Sequence, residues 1–167
     1  MIFIAIGSNL PSPQFGPPLA TCEAALKSLT TAGIQLIAKS RWYHSAPVPR
    51  SDQPWFVNGV IHVETPLAPR ALLQRLHAIE AEFGRRRQER NEPRILDLDL
   101  LAHGDSVGQG KDGLILPHPR LHERAFVLLP LADVAPDWRH PVLQKSVSRM
   151  IADLPGEALA EVMASDG

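Results

Sequence analysis

The sequence predicts an α+β protein of the ferredoxin-like class, with a βαββαβ core, an antiparallel sheet, helices on one face and additional C-terminal elements. Four short segments are apolar runs or alternate with period two, and two longer segments carry apolar residues at spacings of three and four. Their order along the chain is strand, helix, strand, strand, helix, strand, which is the split βαβ pattern. In this pattern the sheet face without helices is left open for loops that build a site.

The first strand covers residues 2–6 and ends at a Gly-Ser-Asn turn, residues 7–9. Residues 11–18 are rich in proline and glycine and predict a loop. Residues 19–31 carry apolar side chains at helical spacing. Gly33 is suited to end that helix, because glycine readily adopts a left-handed backbone conformation.

The middle of the chain predicts two neighbouring strands. Residues 34–43 alternate in character and predict one continuous strand, residues 46–54 predict a proline-stiffened loop, and residues 55–64 predict the next strand. Phe56 and Asn58 share one face of that strand, because side chains two apart point the same way. A ring beside an amide suits a flat heterocycle that stacks and hydrogen-bonds; the alternative is an edge aromatic beside a solvated amide.

The second helix begins at Pro69 and ends at Gly84. His77 and Glu80 are three residues apart and therefore lie on one side of it. From spacing alone, these two polar residues belong either to a binding surface or to a solvated helix face.

The stretch from Gly84 to Leu101 joins an arginine-rich loop to an apolar strand. Its five arginines are Arg85, Arg86, Arg87, Arg90 and Arg94. Asp97 and Asp99 interrupt the apolar strand and share one of its faces, where two carboxylates repel each other unless a cation or a proton lies between them. Such a pair suits Mg²⁺, and arginines suit phosphates. The sequence predicts a Mg²⁺–nucleotide site; the alternative is a solvated aspartate pair beside a solvated arginine run.

The segment after the aspartate strand is less regular. Residues 104–113 are rich in glycine and predict a flexible turn region. His118 and His122 have a spacing that could place two metal ligands on one helix, but Pro119 argues against an unbroken helix and therefore against a zinc site. Residues 144–153 predict the last helix, and the tail beyond it is expected to be loosely held.

Length and composition narrow the class of protein. The 167 residues fit one domain, residues 1–167, and the formal net charge of −1 favours neither nucleic acid nor an acidic membrane. The single Cys22 excludes an internal disulfide and a thiolate zinc cage. No apolar run approaches the roughly 20 residues of a membrane span, and the N-terminus lacks the basic region of a signal peptide. A cytoplasmic monomer is expected.

Five motifs stand in order along the chain. They are Ile4-Ala-Ile-Gly-Ser-Asn-Leu10, Gln53-Pro-Trp-Phe-Val-Asn58, Glu80 with Gly84-Arg85, Pro93-Arg94-Ile-Leu-Asp97-Leu-Asp99-Leu-Leu101, and Leu116-Pro-His-Pro-Arg-Leu-His-Glu-Arg-Ala-Phe126. The set resembles the 6-hydroxymethyl-7,8-dihydropterin pyrophosphokinase family of folate biosynthesis. The resemblance implies a ferredoxin-like fold and transfer of the β,γ-diphosphate of ATP to the pterin hydroxymethyl group, with release of AMP.

The resemblance also implies a role for each motif residue. Asp97 and Asp99 would hold two Mg²⁺ ions, and together with Arg85 and Arg94, which would contact the triphosphate, they form the implied catalytic set. The other residues that would bind ATP are His77, Glu80, Arg87, Leu100, His118 and Arg124. The residues that would bind the pterin are Gly7, Ser45, Val48, Phe56, Asn58 and Phe126.

The chain departs from the family pattern where the arginine loop joins the aspartate strand, at Asn91 and Glu92. His77 and Ala46 stand where glutamine and proline are familiar in the family. These departures affect the closing loop and the adenine side rather than the metal pair, so loop closure and nucleotide affinity are expected to differ more than the reaction.

Two other classes of function stay open. Asp-x-Asp also occurs in metal-dependent glycosyl- and nucleotidyltransferases. A ferredoxin-like sheet can also bind RNA through surface aromatics, but aromatic residues make up 5% of this chain. The expected partners are therefore the small-molecule substrates ATP and the pterin, without nucleic acid or membrane.

Overall fold

A six-stranded antiparallel sheet organises the fold, which the computed structural model describes for residues 1–84, 94–110 and 113–164. The strands are β1 (Ile2–Ser8), β2 (Gln35–Lys39), β3 (Tyr43–Ser45), β4 (Phe56–Glu64), β5 (Asp97–His103), β6 (Gly108–Gln109), β7 (Ile115–Leu116) and β8 (Val162–Ala164). The helices are α1 (Pro18–Thr31), α2 (Pro69–Glu82), α3 (Ala125–Val134), α4 (Val147–Ala152) and α5 (Gly156–Ala160). Strand neighbours follow the order β5, β1, β4, β3, β8, while β2 also pairs with β4 and β6 pairs with β7.

Helices α1 and α2 cover one face of the main sheet, as predicted. Strand alternation sends Ile4 and Ile6 of β1 to this face, together with Leu98 and Leu100 of β5. All four are buried in one hydrophobic cluster with Leu72 of α2. The predicted α+β fold with an antiparallel sheet is confirmed.

The opposite face is only partly open. Phe3, Val60 and Leu101 point to it and are buried against Leu128 and Leu131 of α3. The two core helices thus cover one face, as expected, while the additional C-terminal helix α3 covers part of the face that was expected to stay open for loops. Helix α3 is apolar on most sides and must bury these sides against other apolar residues. The part of this sheet face that carries Phe3, Val60 and Leu101 provides such a surface.

The second predicted strand is divided into two. β2 and β3 pair with successive parts of the same edge of β4, so the expected single strand over residues 34–43 is wrong. At the break, Ser40 donates its backbone N–H to the Val60 carbonyl and accepts the Val60 N–H on its hydroxyl, each at 3.0 Å. Trp42 then packs over Gly59, where a Cβ would lie 2.7 Å from the indole ring. These two contacts interrupt the regular pairing with β4 between β2 and β3.

The C-terminal segment adds the final strand of the sheet. The Ser146 hydroxyl accepts the Arg149 N–H at 3.2 Å and caps α4. Helix α5 follows, and β8 then pairs with β3. The expectation of a loosely held tail is therefore wrong as far as Ala164.

The contact of Trp42 with Gly59 gives a stability prediction. We expect Gly59→Ala to lower the free energy of unfolding by about 1–3 kcal/mol, because the added methyl group overpacks a site where the ring is already in contact. Gly156→Ala is the control, since no atom of the described residues lies within 4 Å of a Cβ built there. Urea denaturation of both variants measures the difference, and equal midpoints would contradict the prediction.

Candidate active site

Strand register places three residues side by side at the open end of the sheet. Gly7 of β1 pairs with Asp97 of β5 on one side and with Asn58 of β4 on the other. A Cβ on Gly7 would lie 3.0 Å from the Asn58 Oδ1 atom, so the glycine gives the amide its room. Asp99 lies two residues along β5 and therefore points to the same face. The row connects a pair of carboxylates to an amide across one strand.

Asp97 and Asp99 differ in their charge environment. Arg94 donates from Nη1 to Oδ2 of Asp97 at 2.9 Å. Burial raises the pKa of Asp99 to about 7, and repulsion from Asp97 adds to the rise, while Arg124 and Arg94 oppose it. A cation between the two carboxylates would relieve this repulsion.

The donor set fits a magnesium–phosphate complex. Among the residues that the structure describes, no three His, Cys, Asp or Glu side chains are grouped to hold a metal ion. Mg²⁺ binds through one or two carboxylates and takes its other ligands from water and substrate phosphates. Asp97 and Asp99 therefore match its requirements when a triphosphate supplies the remaining oxygens.

Arg94 and Arg124 are half-buried and lie near this pair. The Nε atom of each is buried and has no hydrogen-bond partner in the described parts of the chain. Burial is the main cause of a lowered pKa for Arg124, and the Asp99 carboxylate opposes it. The Arg124 guanidinium also lies 5.4 Å from the centre of the Phe126 ring. Buried N–H donors of this kind suit phosphate oxygens.

His118 is a neutral donor at the same site. Burial lowers its pKa to about 4, and the neighbouring Arg124 lowers it further, while Asp97 opposes the shift. Its Nδ1 accepts the Arg120 N–H at 3.2 Å, so the neutral ring carries its proton on Nε2. The ring can therefore donate one hydrogen bond without adding charge.

A cavity of about 90 Å³ extends from the two carboxylates to the Asn58 amide and the aromatic rings beside it. It is lined by Ser45, Ala46, Val48, Phe56, Asn58, Arg94, Asp97, Asp99, Arg124 and Phe126. The Asn58 amide nitrogen donates to the Ser45 hydroxyl, which fixes the orientation of the amide. Five of the six residues predicted to bind the pterin line this cavity, and the sixth, Gly7, lies beneath the Asn58 amide.

Three residues predicted to bind ATP do not line this cavity. Glu80 is buried and accepts the Leu98 N–H at 2.8 Å, so it satisfies the outer edge of β5. The side chain of Leu100 is buried in the core on the face opposite the carboxylates, which leaves its backbone alone for contact with a nucleotide. His77 is exposed on α2. Arg85 and Arg87 lie outside the described residues, as do Asn91 and Glu92.

Asn9, which the sequence predicts to lie in a plain turn, connects three segments around the site. It is buried, and its side-chain amide donates to the Gln53 side chain at 3.0 Å and to the Pro54 carbonyl at 3.2 Å. Its Oδ1 accepts the Arg94 N–H at 2.7 Å. Asn9 thus connects the end of β1, the loop before β4 and the segment that enters β5. The available signal was an asparagine directly after a strand, which is too common to indicate a role.

A family profile described as 7,8-dihydro-6-hydroxymethylpterin-pyrophosphokinase (HPPK) matches residues 3–136. The chain belongs to this family. The family predicted from the sequence motifs is thus confirmed, and with it the enzyme class, a pyrophosphokinase. The alternative glycosyl- or nucleotidyltransferase class finds no support in these comparisons.

Individual relatives are consistent with the family match. A 2-amino-4-hydroxy-6-hydroxymethyldihydropteridine pyrophosphokinase of Pseudomonas aeruginosa is 45% identical over 141 residues, covering 84% of this chain and 83% of the relative. The protein of that name from Synechocystis sp. is 40% identical over 150 residues, covering 89% of this chain and 73% of the relative. Wild-type Plasmodium falciparum HPPK-DHPS, solved with pteroate, is similar in fold, with a TM-score of 0.69 at 13% identity. That match covers 90% of this chain and 41% of the solved one.

The environment of His118 gives a pH prediction. Its folded pKa of about 4 lies below the unfolded value, so the unfolded chain takes up a proton first as the pH falls. We therefore expect His118 to contribute to a loss of stability between about pH 6.5 and pH 4. An NMR titration, with the signal assigned through His118→Gln, checks the pKa. A midpoint near the ordinary histidine value would contradict the placement of His118 beside Arg124 and Arg120.

Proposed function

We propose that this protein transfers the diphosphate of ATP to the hydroxymethyl group of 6-hydroxymethyl-7,8-dihydropterin, giving AMP and the pterin diphosphate in folate biosynthesis. The observation that carries the proposal is the cavity that joins the Asp97 and Asp99 carboxylates to Phe56, Asn58 and Phe126. The carboxylates suit a magnesium triphosphate, and two rings beside an amide suit a flat heterocycle. Membership of the pyrophosphokinase family supports one reaction that uses both halves.

The pterin half of the site orients a ring and its hydroxymethyl group. Phe56 and Phe126 offer the aromatic surfaces, and the Asn58 amide offers both a donor and an acceptor. Because the amide nitrogen donates to Ser45, the amide oxygen is directed over Gly7, towards the middle of the row. An amide fixed in this way distinguishes a heterocycle edge by its pattern of donors and acceptors.

The phosphate half of the site would hold the triphosphate of ATP in position for in-line attack by the pterin hydroxyl group. Arg94 and Arg124 would donate their buried Nε–H groups to phosphate oxygens, and His118 would donate Nε2–H as a neutral group. When bound, Mg²⁺ neutralises phosphate charge and makes the phosphorus a better electrophile. Asp97 and Asp99 would hold the ion, and most of the rate enhancement would come from positioning and charge neutralisation.

Several finer predictions belong to the same proposal. They are two bound Mg²⁺ ions, contacts of Arg85 and Arg87 with the triphosphate, a single-domain monomer and a cytoplasmic location. Within the described part of the chain, no helix is long and apolar enough to cross a membrane.

The carboxylate pair gives the first activity prediction. We expect Asp97→Asn and Asp99→Asn each to lower kcat by about 10³-fold or more, because each removes a negative ligand for the metal. Asp105→Asn is the control, since Asp105 is exposed in the turn after β5. Chromatography of reactions with ATP, Mg²⁺ and the reduced pterin measures AMP. Formation of ADP by the wild type would refute the proposed reaction, and near-normal turnover by either variant would refute the metal role.

The Asn58 amide gives the second activity prediction. Asn58→Ala should weaken binding of the pterin by about 10-fold or more, since one buried amide with hydrogen bonds contributes about 1–3 kcal/mol. Binding of a non-hydrolysable ATP analogue should change by less than about twofold, because Asn58 lies on the other side of Gly7 from the carboxylates. Isothermal titration calorimetry with each ligand separates the two effects. An equal loss for both ligands would mean that Asn58 acts on the site as a whole.

A further inference from the structure

The residues that line the pterin half of the cavity come from a short strand and the loop after it. Strand β3 is three residues long and ends at Ser45, and Ala46 and Val48 follow it. We call Ser45, Ala46 and Val48 the substrate edge. A strand this short has few hydrogen bonds of its own, so its position depends on what pairs with it on each side.

Strand β4 supports the substrate edge on one side and the C-terminal strand β8 supports it on the other. Val162 of β8 lies opposite Ser45, and Met163 lies opposite His44. The Ala46 N–H donates to the Glu161 carbonyl at 3.1 Å. Because bonded and non-bonded pairs alternate in an antiparallel ladder, this bond makes His44 and Met163 the next bonded pair.

Side chains of the same segment reinforce the contact. The Glu161 carboxylate forms an ion pair with Arg50, in the loop that continues from the substrate edge. Val162 is buried and belongs to a small hydrophobic cluster with Tyr43 and Ala125, against which Phe126 packs. The C-terminal segment therefore pairs with the strand that carries Ser45 and belongs to the hydrophobic cluster against which Phe126 packs.

A second cavity, of about 160 Å³, lies between this segment and the substrate edge. Val162 and Ala158 line it together with Val48 and Phe126. Val48 and Phe126 thus border both cavities. Without β8 on the far side, the substrate edge would have no strand partner there.

We propose that β8, with Glu161 before it, is a positioning element for the pterin site, so that pterin affinity depends on the backbone pairing of β8 with β3 and on the Glu161–Arg50 ion pair. These residues lie beyond the family profile, which ends at residue 136. The inference rests on the proposed function, because it takes the cavity beside Ser45 as the pterin site.

Met163→Pro tests the strand contact. Proline removes the backbone N–H at the bonded pair with His44, whereas Met163→Ala keeps it; the side chain itself is 58% exposed. We expect Met163→Pro to weaken binding of 6-hydroxymethylpterin by about 10-fold, measured by calorimetry in the presence of Mg²⁺ and a non-hydrolysable ATP analogue. Affinity for the analogue alone should change by less than about twofold, and Met163→Ala should bind both ligands like the wild type.

A charge exchange gives a second test that does not disturb the backbone. Glu161→Arg should weaken pterin binding by about two- to fivefold, and adding Arg50→Glu should restore it, because the pair is partly exposed and contributes modestly. If circular dichroism shows that Met163→Pro does not fold, the charge exchange alone tests whether the C-terminal segment positions the pterin site.

The outcomes separate the inference from the proposed function. If the wild type forms AMP and Met163→Pro is folded with unchanged pterin affinity, the inference alone is wrong. Equal losses of pterin and nucleotide affinity, or no rescue by the charge exchange, would also overturn it. Failure of the wild type to form AMP would overturn the proposed function instead.

Discussion

Repulsion between two carboxylates on one strand face is the interaction on which the rest of the site depends. The backbone that carries Asp97 and Asp99 is held on both edges, by β1 on one and by Glu80, which accepts the Leu98 N–H, on the other. Arg94 forms an ion pair with the Asp97 carboxylate, and the raised pKa of Asp99 reflects burial first and the remaining repulsion from Asp97 second. The folded chain thus holds a charge arrangement that a divalent cation would stabilise.

Helix α3 connects this charge arrangement to the hydrophobic core. Its apolar residues cover the interior half of the second sheet face, with Leu128 and Leu131 against Phe3 and Val60. The residues at its start reach the uncovered half, so that Arg124 lies near the carboxylates and Phe126 lines the cavity. One packing arrangement therefore both limits the size of the site and supplies two of its side chains.

The two halves of the site are carried by strands of different length. The carboxylates stand on β5, a strand of seven residues paired with β1 at the edge of the sheet. The substrate edge stands on the three residues of β3, which depend on β4 and on the C-terminal β8. Because short strands form few hydrogen bonds, the part of the cavity proposed to bind the pterin depends more on contacts made by segments distant in sequence.

The sequence by itself determined the features whose signals are local. Hydrophobic periodicity located β1, β4 and β5 and helices α1 and α2, and the two-residue spacing placed Asp97 and Asp99 on one face. Family motifs identified the cavity residues Asn58 and Phe126, and nearly all the residues proposed to bind the pterin line one cavity.

Tertiary structure decided the features that depend on distant partners. The strand expected over residues 34–43 breaks because Trp42 packs on Gly59, and α3 covers a face that periodicity left open. Periodicity also could not show that Asn9 connects three segments, or that the tail returns to pair with β3. Such contacts join residues far apart in sequence, and local patterns carry no information about which distant surface will meet them.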